Sequence, residues 1–132
     1  GLSIPDAYIK EAAYRNADEA YERTRELLEL EDRPTCILYQ DDFASFGGIK
    51  AIRQAGLRIP QDISVAGYDG IRIAYQLEPQ LTTLKQDTES IGRLAAEQLI
   101  SLIEEPKTTL IRPYIVEGYV EKGQSVRDIN HT

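Results

Sequence analysis

The sequence has one cysteine, one histidine and no long apolar run, and each scarcity excludes a class of protein. Because Cys36 is the only cysteine, no disulfide can form within the chain, and this fits a reducing, cytoplasmic location. The only histidine, His131, lies in the polar C-terminal tail, which leaves no Ser/His/Asp or Cys/His set for nucleophilic catalysis. No apolar run approaches the roughly 20 residues that a membrane-spanning helix needs.

Basic residues are also scarce, with 15 Lys and Arg against 22 Asp and Glu and a formal net charge of −7. This balance disfavours nucleic acid and anionic membranes as direct partners, because both require a local excess of positive charge. The sequence also lacks a phosphate-cradling glycine loop and a cluster with metal-ligand spacing. We therefore expect no catalytic residues, no metal and no cofactor in a chain that is one domain or part of one.

Residues 35–69 predict the βαβ unit around which the rest of the chain is organised. Apolar runs at 35–39 and 63–67 are typical of buried strands, and apolar residues recur at helical spacing from Phe43 to Ala55. Strands joined by a helix should be parallel, which places their carboxyl ends on the edge where open α/β sheets bind ligands. Asp41, Asp42 and Asp69 follow those ends, so we predict a binding edge built from carboxylates.

The flanking segments carry further signals. Asn16 and Glu19 have capping-box spacing and predict a helix start, and Asp87 or Thr88 opens a second helix that reaches Glu104. The remaining expectations are a short strand at 7–10, a β-rich run at 81–84, an edge strand at 110–116 interrupted by Pro113, and a frayed polar tail from residue 122.

Three segments resemble the effector-binding domain of the lactose-repressor/galactose-repressor family of bacterial transcription regulators. They are Asp41–Gly47, Gly56–Asp69 and Pro79–Gln86. The resemblance implies an α/β fold of the periplasmic-binding-protein-like type I class, with two subdomains around a ligand cleft. It further implies that residues 1–86 belong to an incomplete C-terminal subdomain, 87–117 return to the N-terminal subdomain, and 118–132 form a C-terminal tail. The helix-turn-helix DNA-binding domain would lie outside this sequence.

The same resemblance nominates four ligand-binding residues: Asp69, Asp41, Tyr14 and Gln86. Asp69 matches the family's ligand-binding aspartate and could accept hydrogen bonds from two sugar hydroxyls; the alternative is a turn aspartate before Gly70. Tyr14 matches an aromatic residue that stacks on a sugar ring, the alternative being loop packing. Gln86 lies at a hinge crossover, where it could reach the cleft or serve only the hinge.

Asp41 stands where the family commonly has asparagine, and this departure leaves the choice of ligand open. A carboxylate only accepts hydrogen bonds, so an acidic cleft suits polyols or a cationic group better than sugar phosphates. The alternative for Asp41 is a helix N-cap, and for Asp42 a cap or scaffold role. Gly70 replaces a second aspartate often found after Asp69.

The resemblance also predicts a homodimer with twofold symmetry. Its interface would combine the helix after Asp42 with the segment 71–77. The interface residues expected on this basis are Phe46, Ile49, Lys50, Arg53, Ile73, Tyr75 and Leu77.

The leading functional hypothesis is the effector sensor of a transcriptional repressor, with a sugar as the effector, that reaches operator DNA only through its missing domain. A sugar-binding component of a transport system is the alternative, since it shares the fold. A response-regulator-like phosphoacceptor is a third possibility because of the paired acids, but Asp69 lacks the spacing expected of that class.

Overall fold

The computed structural model describes residues 3–129, in which three helices accompany a sheet of four strands. The helices are α1 (Ala17–Leu28), α2 (Asp42–Gln54) and α3 (Thr88–Glu104), and the strands are β1 (Cys36–Leu38), β2 (Ser64–Asp69), β3 (Thr82–Lys85) and β4 (Tyr119–Glu121). Two short 3-10 helices cover Asp6–Tyr8 and Arg72–Gln76.

The sheet has the order β1-β2-β3-β4, with the first three strands parallel and β4 antiparallel to β3. Ile37 is opposite Val65 in the β1–β2 ladder, and Gly67 is opposite Thr83 in the β2–β3 ladder. The predicted α/β class, its parallel sheet and the central βαβ unit are therefore confirmed. The carboxyl ends of β1, β2 and β3 meet at one edge, as expected of parallel strands.

The hydrophobic core lies between the sheet and helices α1 and α2. Ile52, Ile63, Val65 and Leu81 are all fully or almost fully buried in it. The two helices approach closely at Gly47, where a Cβ atom would overlap the carbonyl oxygen of Ala17. Helices α1 and α2 thus form one closely packed layer, which covers one face of the parallel strands.

Three expectations for the flanking segments are wrong. Residues 6–8 form a 3-10 helix where a strand was expected at 7–10, and 110–116 form no strand because they pair with no neighbouring backbone in the described part of the chain. Residues 123–127 of the tail are ordered, since β4 leads into Ser125 and this segment is hydrogen-bonded to the sheet. The Ser125 side chain is fully buried; its backbone oxygen accepts from the Val65 N–H at 2.8 Å, and its hydroxyl donates to the Val65 carbonyl oxygen at 2.6 Å.

Helix α3 begins at the predicted cap, where the Asp87 carboxylate accepts a hydrogen bond from the Ser90 N–H. No residue of α3 is buried, and Leu99 and Ile103 on its apolar face are 58% and 71% exposed. The chain thus leaves the sheet after Lys85 and returns to it at β4. Within residues 3–129, no helix has both the length and the apolar character required to cross a bilayer.

Candidate functional site

The candidate site lies where the parallel strands end. Asp41 follows β1, Asp69 is the last residue of β2, and Gln86 follows β3. The loop before α1 brings Tyr14 to the same edge. The structure therefore places together all four residues that the sequence nominated for ligand binding.

Asp69 is the centre of this group and is half-buried. Its carboxylate accepts a hydrogen bond from the Tyr14 hydroxyl at 3.1 Å and another from the Gln86 Nε2 atom at 2.7 Å, one on each oxygen. Its backbone φ is +108°, a conformation that residues with a side chain rarely adopt. A residue keeps such a conformation only where its surroundings hold it in place. Here the Asp69 carboxylate lies across the strand ends, between Tyr14 and Gln86.

Tyr14 is 65% exposed, with its hydroxyl on Asp69. The hydrogen bond to Asp69 raises the pKa of this hydroxyl above its ordinary value, and the negative charges of Asp69 and Asp41 act in the same direction. The neutral phenol is therefore the form that the site holds. Chemically, Asp69 is a hydrogen-bond acceptor whose two present donors are neutral groups that ligand hydroxyls could replace.

Asp41 differs from the other three because its side chain is fully buried. One carboxylate oxygen caps α2 by accepting from the Ala44 N–H at 2.7 Å, and the other accepts from the Arg15 N–H at 3.0 Å. The helix-cap role considered for Asp41 is thus confirmed. In this conformation, Asp41 presents no surface to a ligand.

Asp42 is the scaffold of the site, the role expected as an alternative to capping. Its fully buried carboxylate accepts from the Thr83 hydroxyl at 2.6 Å and from the Ile71 N–H at 2.8 Å. Burial raises the pKa of Asp42; the hydrogen bonds oppose this rise, and the nearby charge of Asp69 adds to it. Asp42 therefore ties α2 to β3 and to the loop after β2.

Gly70 is explained by the backbone that follows Asp69. Its φ is +70°, and a Cβ atom would lie 2.8 Å from the Cα atom of Lys85. A second aspartate at this position would thus be strained and would collide with β3. The loop instead passes directly over the strand end, where the Gly70 N–H donates to the Thr83 hydroxyl at 3.3 Å.

A charged cluster that the sequence did not predict lies beside the site. Lys85 Nζ is 3.7 Å from Glu121 and 5.5 Å from the centre of the Tyr75 ring, while the Tyr75 hydroxyl donates to Glu121 at 2.8 Å. Nothing in the sequence indicated that Glu121 would lie near Lys85 and Tyr75, because Glu121 belongs to β4, which was expected to be part of the tail.

Three of the seven predicted interface residues are exposed. Lys50 and Arg53 are exposed, and Ile73 is 51% exposed. Ile49 was wrongly included in the predicted interface, because its side chain is only 4% exposed and packs in the hydrophobic core. The other three residues, Phe46, Tyr75 and Leu77, are half-buried.

Among residues 3–129, no group of three or more His, Cys, Asp or Glu side chains is placed to hold a metal ion. His131 lies outside the described residues.

Comparison with known proteins gives a consistent result. A family model described as a periplasmic binding protein-like domain matches residues 1–126. The HTH-type transcriptional repressor PurR of Escherichia coli O1:K1 / APEC is 31% identical over 120 residues, covering 88% of this chain and 35% of the repressor. The chain thus spans about a third of the length of the curated relatives it matches.

Two solved structures of similar proteins contain sugars. A LacI family transcriptional regulator from Enterococcus faecium with bound ribose is 29% identical with a TM-score of 0.75, covering 83% of this chain and 40% of the regulator. A LacI family regulator from Arthrobacter sp. FB24 in complex with lactose is 28% identical with a TM-score of 0.72, covering 84% and 42%. The resemblance stated from the sequence motifs agrees with these matches.

Proposed function

The chain belongs to the periplasmic binding protein-like domain family, and on that premise we propose that it forms part of the effector-sensing domain of a LacI-type transcriptional repressor. The observation that carries the proposal is the Asp69 group. A half-buried carboxylate at the strand ends, flanked by the Tyr14 hydroxyl and the Gln86 amide, matches the hydrogen-bonding pattern of adjacent sugar hydroxyls. The sugars bound to the Enterococcus and Arthrobacter regulators support a sugar as the effector class.

The path of the chain supports the proposed subdomains. Residues 1–86 supply α1, α2 and the parallel strands, and α3 then leaves the sheet with its apolar residues uncovered. We assign residues 87–117 to a second subdomain that would close the cleft over Asp69. Because β4 and Ser125 return to the sheet, the segment from residue 119 completes the first subdomain.

Ligand binding would act by shifting the balance between open and closed clefts. A ligand that contacts both subdomains binds the closed form more tightly and so populates it. Operator DNA would be contacted only by a helix-turn-helix domain outside this sequence, which agrees with the net charge of −7. The proposal places the protein in the cytoplasm, assigns it no catalytic step, and favours a regulator over a transport component because the sugar-bound relatives are regulators.

A thermal-shift screen of the full-length protein tests this function. The panel contains ribose, lactose, cellobiose, polyols and purines, because a ligand that binds only the native state raises the unfolding midpoint as its concentration increases. The proposal expects at least one sugar to raise the midpoint. A response to purines alone would mean that the effector is a purine and not a sugar. No response to any compound would contradict a sensing role.

The proposed dimer is tested separately. Its surface would combine Lys50 and Arg53 of α2 with the exposed Ile73. We expect Ile73→Asp to convert a dimer into a monomer in analytical ultracentrifugation, because it places a charge in an interface. Ile129→Asp, which changes an even more exposed isoleucine outside the predicted interface, should leave the mass unchanged. A dimer that survives Ile73→Asp would contradict this interface.

A further inference from the structure

Tyr14 belongs to an irregular loop, yet the loop is held on both sides of it. Before Tyr14, the Gln40 Nε2 atom donates to the carbonyl oxygens of Ala12 and Ala13 at 3.2 and 2.9 Å. After it, the Arg15 N–H donates to Asp41 at 3.0 Å, and Arg15 takes a left-handed φ of +56°. The two side chains that hold the loop are consecutive residues at the end of β1.

These contacts fix the backbone on both sides of Tyr14. The loop is further tied to α1 because the Glu19 carboxylate accepts from the Ala13 N–H at 2.7 Å. Neither Gln40 nor Asp41 donates to or accepts from Asp69 or Gln86 among the hydrogen bonds of this edge. Their effect on the site therefore passes through the loop.

We propose that Gln40 and Asp41 are positioning residues: they hold the loop of residues 12–15 so that Tyr14 lies over Asp69, and they set effector affinity without touching the effector. The inference rests on the proposed function and deepens it. It reverses the role first expected of Asp41, whose carboxylate is fully buried and whose two oxygens are both occupied by backbone N–H groups.

A loop that is already ordered in the free protein need not be ordered on binding, and this preorganisation strengthens affinity. Gln40 gives the cleaner test because Asp41 also caps α2, whereas the Gln40 side chain is exposed and its hydrogen bonds go to this loop. Gln40→Ala removes two of the hydrogen bonds that hold the loop and should weaken binding by about three- to tenfold, the range expected for one immobilised side chain.

The first arm of the test needs no ligand. With 3,5-difluorotyrosine at position 14 of the full-length protein, fluorine NMR follows the titration of this phenol. The groups that face it are Asp69 and Asp41, which raise its pKa, and Arg15, which lowers it. We expect Asp69→Asn to lower the pKa of the phenol and Gln40→Ala to lower it in the same direction.

The control for this arm is Gln61→Ala, which changes an exposed glutamine in the loop before β2 and should leave the titration unchanged. A phenol pKa in Gln40→Ala equal to that of the parent would overturn the positioning role, whatever the effector proves to be.

The second arm uses calorimetric titration with ribose, lactose and cellobiose. Gln40→Ala should weaken binding of the sugar that binds the parent, and it should add no further loss in a Tyr14→Ala background, because the residue acts through Tyr14. An equal loss in both backgrounds would overturn the inference. Failure of all three sugars to bind the parent would count against the proposed function, while the fluorine titration still decides the positioning of Tyr14.

Discussion

Removing the buried carboxylate of Asp42 should destabilise the sheet edge strongly. In Asp42→Ala, the Ile71 N–H and the Thr83 hydroxyl lose the acceptor that they now share. Leaving a buried donor unsatisfied costs about 1–3 kcal/mol; the Thr83 hydroxyl is buried and the Ile71 N–H is half-buried, so the two together amount to about 2–4 kcal/mol. Against a typical stability of about 5–15 kcal/mol, this loss is large.

Asp42→Asn separates the charge from the hydrogen bonds. The amide oxygen can accept from Ile71, and the amide nitrogen can donate to the Thr83 oxygen, so we expect a change of about 1 kcal/mol or less at neutral pH. The folded state raises the pKa of Asp42 above 3.8. Its stabilising contribution is therefore fully present below that value and is lost as pH rises through the folded-state pKa. Acidification should accordingly favour the parent over Asp42→Asn.

Urea denaturation followed by circular dichroism measures both effects. Asp87→Ala is the matched control, because it removes an exposed carboxylate that caps α3 and should cost about 1 kcal/mol. The reasoning is refuted if Asp42→Ala costs no more than this control. It is also refuted if the difference between the parent and Asp42→Asn moves in the opposite direction on acidification.

Two further substitutions test the packing around the site. Gly47→Ala should cost about 1–3 kcal/mol in urea denaturation, because its Cβ atom would overlap the Ala17 carbonyl oxygen and force α1 from α2, and a neutral result would show that the helices can separate freely. Ser125→Ala should cost about 1–3 kcal/mol, because the half-buried Thr82 N–H loses its acceptor at 2.8 Å and the buried Val65 carbonyl oxygen loses its hydroxyl donor at 2.6 Å; a midpoint equal to that of the parent would mean that these two hydrogen bonds contribute nothing to stability.

The parts of the fold that were predictable from sequence have a local signature. The βαβ unit shows apolar runs and helical spacing. At the start of α1, Asn16 stands three residues before Glu19, and its side chain accepts a hydrogen bond from the Glu19 N–H at 3.1 Å. Parallel strands then bring Asp41 and Asp69 to one edge as a matter of topology. The positions of Asp41 and Asp69 followed from these rules, whereas Tyr14 and Gln86 were nominated only by the family resemblance.

The missed features depend on partners that are distant in sequence. Strand β4 is three residues long and pairs with β3 across the whole of α3, so no periodicity marks it. The interactions of Gln40 with Ala12 and Ala13 are likewise side-chain contacts to a loop with no pattern of its own. Sequence reasoning could place Asp41 at the edge, but only the geometry shows that both of its oxygens are taken by backbone N–H groups.

Calorimetric titration of the full-length protein and its Asp69→Asn variant with ribose, lactose and cellobiose tests the central claim most directly. Removing a charge-assisted hydrogen-bond acceptor should weaken binding by about tenfold or more. The control Asp87→Asn, which changes an exposed carboxylate outside the site, should bind as the parent does. The account predicts that at least one sugar binds the parent and that Asp69→Asn weakens it. Equal binding by Asp69→Asn, or no binding of any sugar by the parent, would contradict it.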